Sequence, residues 1–296
     1  MNLSPVHGNP VCADQGNALK QLAIGIVGAW FAISSAHAQT CTANLAPLIT
    51  TTWPSAVRND AGYTLPGKVA EQIDLGLAAC KVWPAHPEWT LVALPVRASD
   101  WDADLVLFVT DNRSGASVQR LREARLLRVT LQRITDIQFD TARYQLNGDM
   151  PIFGVRITNT LQTGVGEISE TGMSLYAIDG KRLRKILDDL SVKVHSVETD
   201  PPAPSGDKGG AACTPHVSDV TRVIGIGTTR THDFADLVLH DTGSIQRGAD
   251  LLDGTCGDAT PTTVDQTRRL KYDGTRYPIP QDWQRMVNID GPAARR

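Results

Sequence analysis

The sequence predicts a mostly β protein built from antiparallel sheets, either a β-sandwich or a propeller-like array, with a few short helices and two lobes. Three observations carry that prediction. Short apolar runs rich in Val, Ile, Leu and aromatic residues recur along the chain, which is the pattern of strands. Asx-Gly pairs stand at Asn147-Gly148, Asp179-Gly180, Asp253-Gly254 and Asp273-Gly274, and such pairs supply the positive φ that tight hairpins need. The chain has 296 residues, 41% hydrophobic and 21% charged, with a formal net charge of −3, enough to bury a core. The same figures argue against a disordered chain. They also argue against a polytopic membrane protein, which needs several apolar runs of about 20 residues, and against a basic nucleic-acid binder.

The first 38 residues fall outside this fold. Leu22–Ile33 (LAIGIVGAWFAI) is an unbroken apolar run, preceded by Lys20 and followed by Ala36-His37-Ala38. This is the pattern of a secretory signal peptide. Its twelve apolar residues reach about 18 Å as a helix, short of a ~30 Å hydrocarbon core. A buried helix or a short membrane anchor is the rival reading. Cleavage after Ala38 removes Cys12 and leaves Cys41, Cys80, Cys213 and Cys256. Four thiols in an oxidising compartment read as two disulfides. Three pairings exist, and locality favours Cys41–Cys80 and Cys213–Cys256. Each closes a loop of about 40 residues, a gain of roughly 4 kcal/mol on the chain-entropy model. A zinc site lacks its C-x-x-C or C-x-x-H spacing. The expected location is periplasmic or secreted, with no transmembrane span after processing.

Along the mature chain, Trp89–Leu94 reads as a strand ended by Pro95, and Leu105–Val109 (LVLFV) as a strand buried on both faces. Arg128–Phe139 carries a looser apolar pattern. Tyr144 and Leu146 lead into a hairpin at Asn147-Gly148, with Phe153, Val155 and Ile157 alternating beyond it. Leu183, Ile186, Leu187 and Leu190 fall at i, i+3, i+4 and i+7 and predict a helix. Val69–Cys80 is a second helix candidate, and Ala116–Leu127 is a third that fits either period. Residues 200–212 (DPPAPSGDKGGAA) read as a linker or exposed loop. They divide a main lobe, 39–199, from a smaller one, 213–296.

One pentapeptide occurs twice: Ala103–Leu107 and Ala235–Leu239 both read ADLVL. This segment resembles the strand of FG-GAP/VCBS-type repeats, which implies a β-propeller. The calcium-loop glycine of those repeats is absent here, so their calcium role does not transfer. More broadly, CKVWPAHPEWTLVALP, TARYQLNGDMPIFGVRI and LKYDGTRYPIP resemble a family of exported, β-rich proteobacterial proteins. That resemblance implies export and β class and brings no activity.

Candidate sites are few. Asp100, Asp102 and Asp104 alternate and could converge on Ca²⁺, but an EF-hand register puts Leu105 where glycine is needed. A polar turn is the favoured reading, so no cofactor is expected, with Ca²⁺ as the single alternative. His232-Asp233 and His240-Asp241 are the His–acid pairs, and His232, Asp233 and Asp102 are the candidates for acid–base catalysis. Trp83 and Trp89, beside Pro84, His86 and Pro87, are the candidates for ligand stacking, against core burial as the default. The runs Arg182/Arg184/Lys185 and Arg268/Arg269/Lys271 read as solvated faces. No G-x-S-x-G, H-E-x-x-H, Walker A or G-x-G-x-x-G motif occurs. The expectation is a non-catalytic exported protein that binds an envelope protein or polysaccharide, of inhibitor or immunity type, with no nucleic-acid partner. An enzyme acting on envelope polymers and a structural envelope protein are the alternatives.

Overall fold

The computed structural model describes residues 45–99, 102–128, 133–163, 166–198, 216–246, 249–250, 256–257 and 260–283. Mostly β is the outcome, as two seven-stranded antiparallel sheets that pack face to face and not as blades around an axis. The first sheet runs β1 (Val57–Arg58), β2 (Gly62–Leu65), β3 (Glu71–Asp74), β5 (His86–Arg97), β6 (Asp102–Asp111) and β7 (Ser117–Arg128), with β4 (Ala79–Trp83) also paired to β5. The second sheet comprises β8 (Arg133–Asp140), β9 (Ile152–Thr163), β10 (Gly166–Asp179), β11 (Arg182–Glu198), β12 (His216–Thr231), β13 (Phe234–Gln246) and β16 (Thr262–Leu270). Its spatial order is β16-β13-β12-β11-β10-β9-β8, and β14 (Ala249–Asp250) and β15 (Cys256–Gly257) form a separate hairpin. The divide between sheets therefore falls between β7 and β8. Strands on either side of residues 200–212 share one sheet. Among the described residues no helix is long and apolar enough to cross a membrane.

Three apolar clusters hold these layers. The sheets meet through Leu91, Leu105, Leu107 and Val109 of the first and Phe139, Phe153, Val155 and Tyr176 of the second. The outer face of the first sheet, carrying Val92, Leu94, Val106 and Phe108, is covered by helix α1 (Leu45–Thr52) through Leu45, Leu48 and Ile49. That spacing places the three on one helical face. Pro47 sits in the first turn, where its missing N–H costs nothing, and Pro54 follows the last turn. The other face of the second sheet packs Leu175, Leu187, Leu237 and Leu239 against the 141–151 loop and a C-terminal strap. Tyr272 stacks on Phe234 at 4.0 Å, and the Tyr277 hydroxyl donates to the Ala235 carbonyl at 2.5 Å.

None of the three helix candidates is a helix: two fall in strands and one spans strand, turn and strand. The 183–190 stripe lies in β11, and the reason is a run of bulges. Met173, Leu175 and Tyr176 of β10 stand opposite Leu190, Leu187 and Lys185, so β11 spends an extra residue at each step. Each extra residue flips the side-chain parity, and Asp189 takes φ 49° to accommodate one. The result buries Leu183 between the sheets and Ile186, Leu187 and Leu190 on the other face of the second sheet, at spacings that imitate a helix. Val69–Cys80 spans β3, an Asx turn in which Asp74 Oδ1 accepts the Gly76 N–H at 2.9 Å, and the start of β4. Ala116–Leu127 is β7. The helix that does form, α1, carried no predicted signal.

Pro95 does not end its strand, since β5 continues to Arg97. On its second edge β5 passes from β4, where Ala93 faces Ala79, to β3, where Val96 faces Ile73. Pro95 falls at that changeover, where no ladder N–H is required of it. Leu105–Val109 is buried on both faces as read. Asp179-Gly180 is the turn between β10 and β11, with Gly180 at φ 60°. Asn147-Gly148 is not a tight hairpin but one turn within a longer β8–β9 loop, residues 141–151. Asp273-Gly274 lies in the strap, and Asp253-Gly254 lies outside the described residues.

Candidate functional site

An open cleft of about 240 Å³ lies between the β4–β5 turn and the 141–151 loop. Its aromatic wall follows from strand register. Trp83 ends β4 and His86 begins β5 as its register partner, so their rings meet edge to face at 4.7 Å. His86 also stacks on Trp89 at 4.9 Å. Trp83 is buried and packs edge-on against Phe153 at 5.4 Å, joining the wall to the inter-sheet core. Trp89 is half-buried. Trp83 is therefore a core side chain that also lines the cleft, as does His86, while Trp89 lies outside the lining and backs the His86 ring.

The opposite wall is a pinned loop. At its start, Asp140 Oδ1 accepts the Ala142 N–H at 3.0 Å, and the same carboxylate pairs with Arg156 at 2.6 Å. Burial acts to raise the Asp140 pKa, but the Ala142 N–H and the Arg156 guanidinium outweigh it and hold the carboxyl below its usual range. Burial, with the Asp140 charge, pushes the Tyr144 hydroxyl up. In the middle, Leu146 is fully buried and its carbonyl accepts from the Ala235 N–H at 2.7 Å and from Arg230 at 3.2 Å. At the end, the Pro151 carbonyl accepts from the Ile178 N–H at 2.9 Å. Between these anchors Arg143, Gln145, Gly148 and Asp149 line the cleft and are exposed.

A second cleft of about 340 Å³ is lined by Gln72, Asp74, Arg97 and Ser99. Its two charged groups are spent on each other, with Arg97 and Asp74 at 2.6 Å.

The other predicted site residues are placed as follows. His232 and Asp233 are the two central residues of the β12–β13 hairpin, with φ of 50° and 66°. They hold the positive-φ positions of a type I′ turn that Asn-Gly usually fills, and both are exposed. Asp102 opens β6 in the other sheet, opposite Arg128, and no hydrogen bond or ion pair among the described residues joins it to His232 or Asp233. Asp104 pairs with Arg122 at 2.5 Å, and that guanidinium also holds Glu71. Asp100 lies outside the described residues, among which no group of three His, Cys, Asp or Glu is placed to hold an ion. His240-Asp241 is split by strand alternation: His240 is exposed beside Thr267, while Asp241 is buried. Cys80 is half-buried on β4 against the cluster that includes α1. Cys41 and Cys213 lie outside the described residues, as do the side-chain surroundings of Cys256.

Sequence reasoning missed the most buried ionic feature. Arg222 and Asp241 are both buried, and the guanidinium meets the carboxylate twice, at 2.6 and 2.9 Å. Its remaining nitrogen donates at 3.1 Å each to the Ser191 and Trp283 carbonyls, which ties the strap to the sheet. The available signal was parity: Arg222 shares its strand face with Val220. The loop half of the cleft was also missed, because 144–157 read as a hairpin.

No family model matches this chain, and neither a curated protein nor a solved structure matches it.

Proposed function

We propose that this chain is an exported, non-catalytic binding protein of the cell envelope, periplasmic or secreted once residues 1–38 are removed. The aromatic-walled cleft receives a segment of an envelope protein, in the manner of an inhibitor or immunity protein. The observation that carries this reading is the pairing of an aromatic wall, Trp83 and His86 with Trp89 stacked behind His86, with an exposed Arg143/Gln145/Asp149 rim on a loop pinned at three points. Preorganised aromatic anchors inside a polar rim are what protein interfaces use.

Export belongs to the same proposal, as does membership of the exported β-rich family that the sequence resembles. The Cys41–Cys80 pairing belongs to the proposal as well. It is supported by position, since Cys41 stands four residues before α1 and Cys80 packs against the cluster that α1 enters. A Cys213–Cys256 bond completes the proposed set.

The test compares capture from an envelope extract by the wild-type protein and by the double variant Arg143→Ala/Asp149→Ala. One specific protein retained by the wild type and lost by the variant supports the reading. Equal capture by both, or capture of glycan strands in place of protein, overturns it.

A further inference from the structure

We infer that Asn147 is a site of spontaneous covalent modification, an asparagine that converts itself to aspartate and isoaspartate on the rim of the cleft. The chemistry needs an asparagine amide next to a backbone nitrogen that is free to attack it. Gly148 supplies that nitrogen with no side chain in the way, at an exposed position held at φ 52°. Neither the Asn147 side-chain amide nor the Gly148 N–H bonds to another described residue; the pair's one hydrogen bond is the Asn147 carbonyl accepting from the Met150 N–H at 3.1 Å.

The step balances without any co-reactant beyond water. The Gly148 nitrogen loses its proton to base and attacks Asn147 Cγ. A C–N bond forms, the side-chain nitrogen leaves as ammonia, and a five-membered succinimide results. Water then opens one of the two ring C–N bonds next to a carbonyl. One opening gives aspartate; the other gives isoaspartate, with an added methylene in the main chain. Either product puts a new carboxylate on the loop that carries Arg143 and Asp149.

The other described asparagines lack these conditions. The Asn59 amide donates to Thr64 and Gln72, both at 2.9 Å, while its oxygen accepts from the Gly62 N–H at 2.7 Å. Asn112 accepts from Thr90 at 2.6 Å and donates to the Pro87 carbonyl at 2.7 Å. Asn159 lies inside β9, laddered on both sides and followed by a β-branched threonine. Asparagine is thermolabile in general, and among the described residues the fold leaves that lability at Asn147. The inference stands independently of what the cleft binds.

The experiment is peptide mapping by mass spectrometry of the full folded chain, incubated at neutral and at mildly alkaline pH. The expected result is the amide-to-carboxyl mass gain at Asn147 before Asn59, Asn112 or Asn159, faster at the higher pH. Two isomeric products should separate by chromatography, and the Asn147→Gln variant should show none of them. Modification of Asn59 or Asn112 at the same rate overturns the inference. So does an unchanged Asn147 in the folded chain over a period in which the urea-unfolded chain converts.

Discussion

The same five residues, ADLVL, build the first half of β6 and of β13, and the two copies reach opposite outcomes on one face. In both, Ala, Leu and Leu point into a core: Ala103, Leu105 and Leu107 between the sheets, Ala235, Leu237 and Leu239 under the strap. The Asp and Val of the other face diverge. On β6 that face is covered by α1, so Val106 is fully buried, and Asp104 pairs with Arg122 at 2.5 Å. On β13 Val238 is half-buried. Asp236 is buried there and accepts from hydroxyls, Thr229 at 2.5 Å and Thr231 at 2.8 Å, with the Arg269 guanidinium one step away on the Thr229 hydroxyl. A bulge in β12 between Ile226 and Arg230 brings those threonines over it. Binary pattern thus sets which residues face a core, and the neighbouring layer sets what the remaining face means.

The largest expected contrast is in how each cover is held. Arg222→Ala removes one partner of a buried bidentate pair, one contact to the strap at Trp283 and one to β11 at Ser191, and should cost about 3–5 kcal/mol by urea unfolding. Arg120, over Trp53 at 4.9 Å on the α1 side, should cost about 1 kcal/mol or less when truncated. Equal losses would break the comparison. Next come the valines: Val106→Ala should cost about 2 kcal/mol, and Val238→Ala about 0.5 or less.

The aspartates sharpen it further. Burial acts to raise the Asp236 pKa, but the Thr229 and Thr231 hydroxyls, with Lys271 and Arg269, lower it overall. A depressed folded pKa means that Asp236's stability contribution is complete above the ordinary carboxylate value of about 4 and is lost as pH falls through the lower one. Asp236→Asn should therefore cost about 1–2 kcal/mol at neutral pH and flatten the acid limb of the unfolding curve. Asp104→Asn, part-exposed, should cost under about 1 kcal/mol. The smallest effect is at the hairpin that leads into β13. His232→Asn with Asp233→Gly puts residues suited to positive φ at both positions and should stabilise by about 1 kcal/mol, read as a rise in Tm.

What the sequence revealed follows the same division. Runs buried on both faces, such as Leu105–Val109, and the turn marked by Asp179-Gly180 are local properties, so they were legible, although the register shifts the two-residue loop to Gly180-Lys181. The β11 stripe was misread because bulges turn a strand's period into a helix's. α1 was missed because its short apolar face gains meaning only against Val92, Val106 and Phe108. Trp83 and Trp89 were visible as an aromatic pair, yet the cleft needs the 141–151 loop, whose path is fixed by the distant Ala235, Arg230 and Ile178. His232-Asp233 was visible as a His–acid pair, but its place at the turn of the β12–β13 hairpin depends on a strand register that the pair itself does not reveal.

The central claim is that the cleft contacts a protein of the envelope, and site-directed photo-crosslinking in intact cells tests it most directly. A photoreactive residue at Gln145, on the cleft rim, should yield one discrete protein adduct, while the same residue at exposed Thr242 on β13 should yield none. No adduct at Gln145, or equal adducts at both positions, would contradict the account.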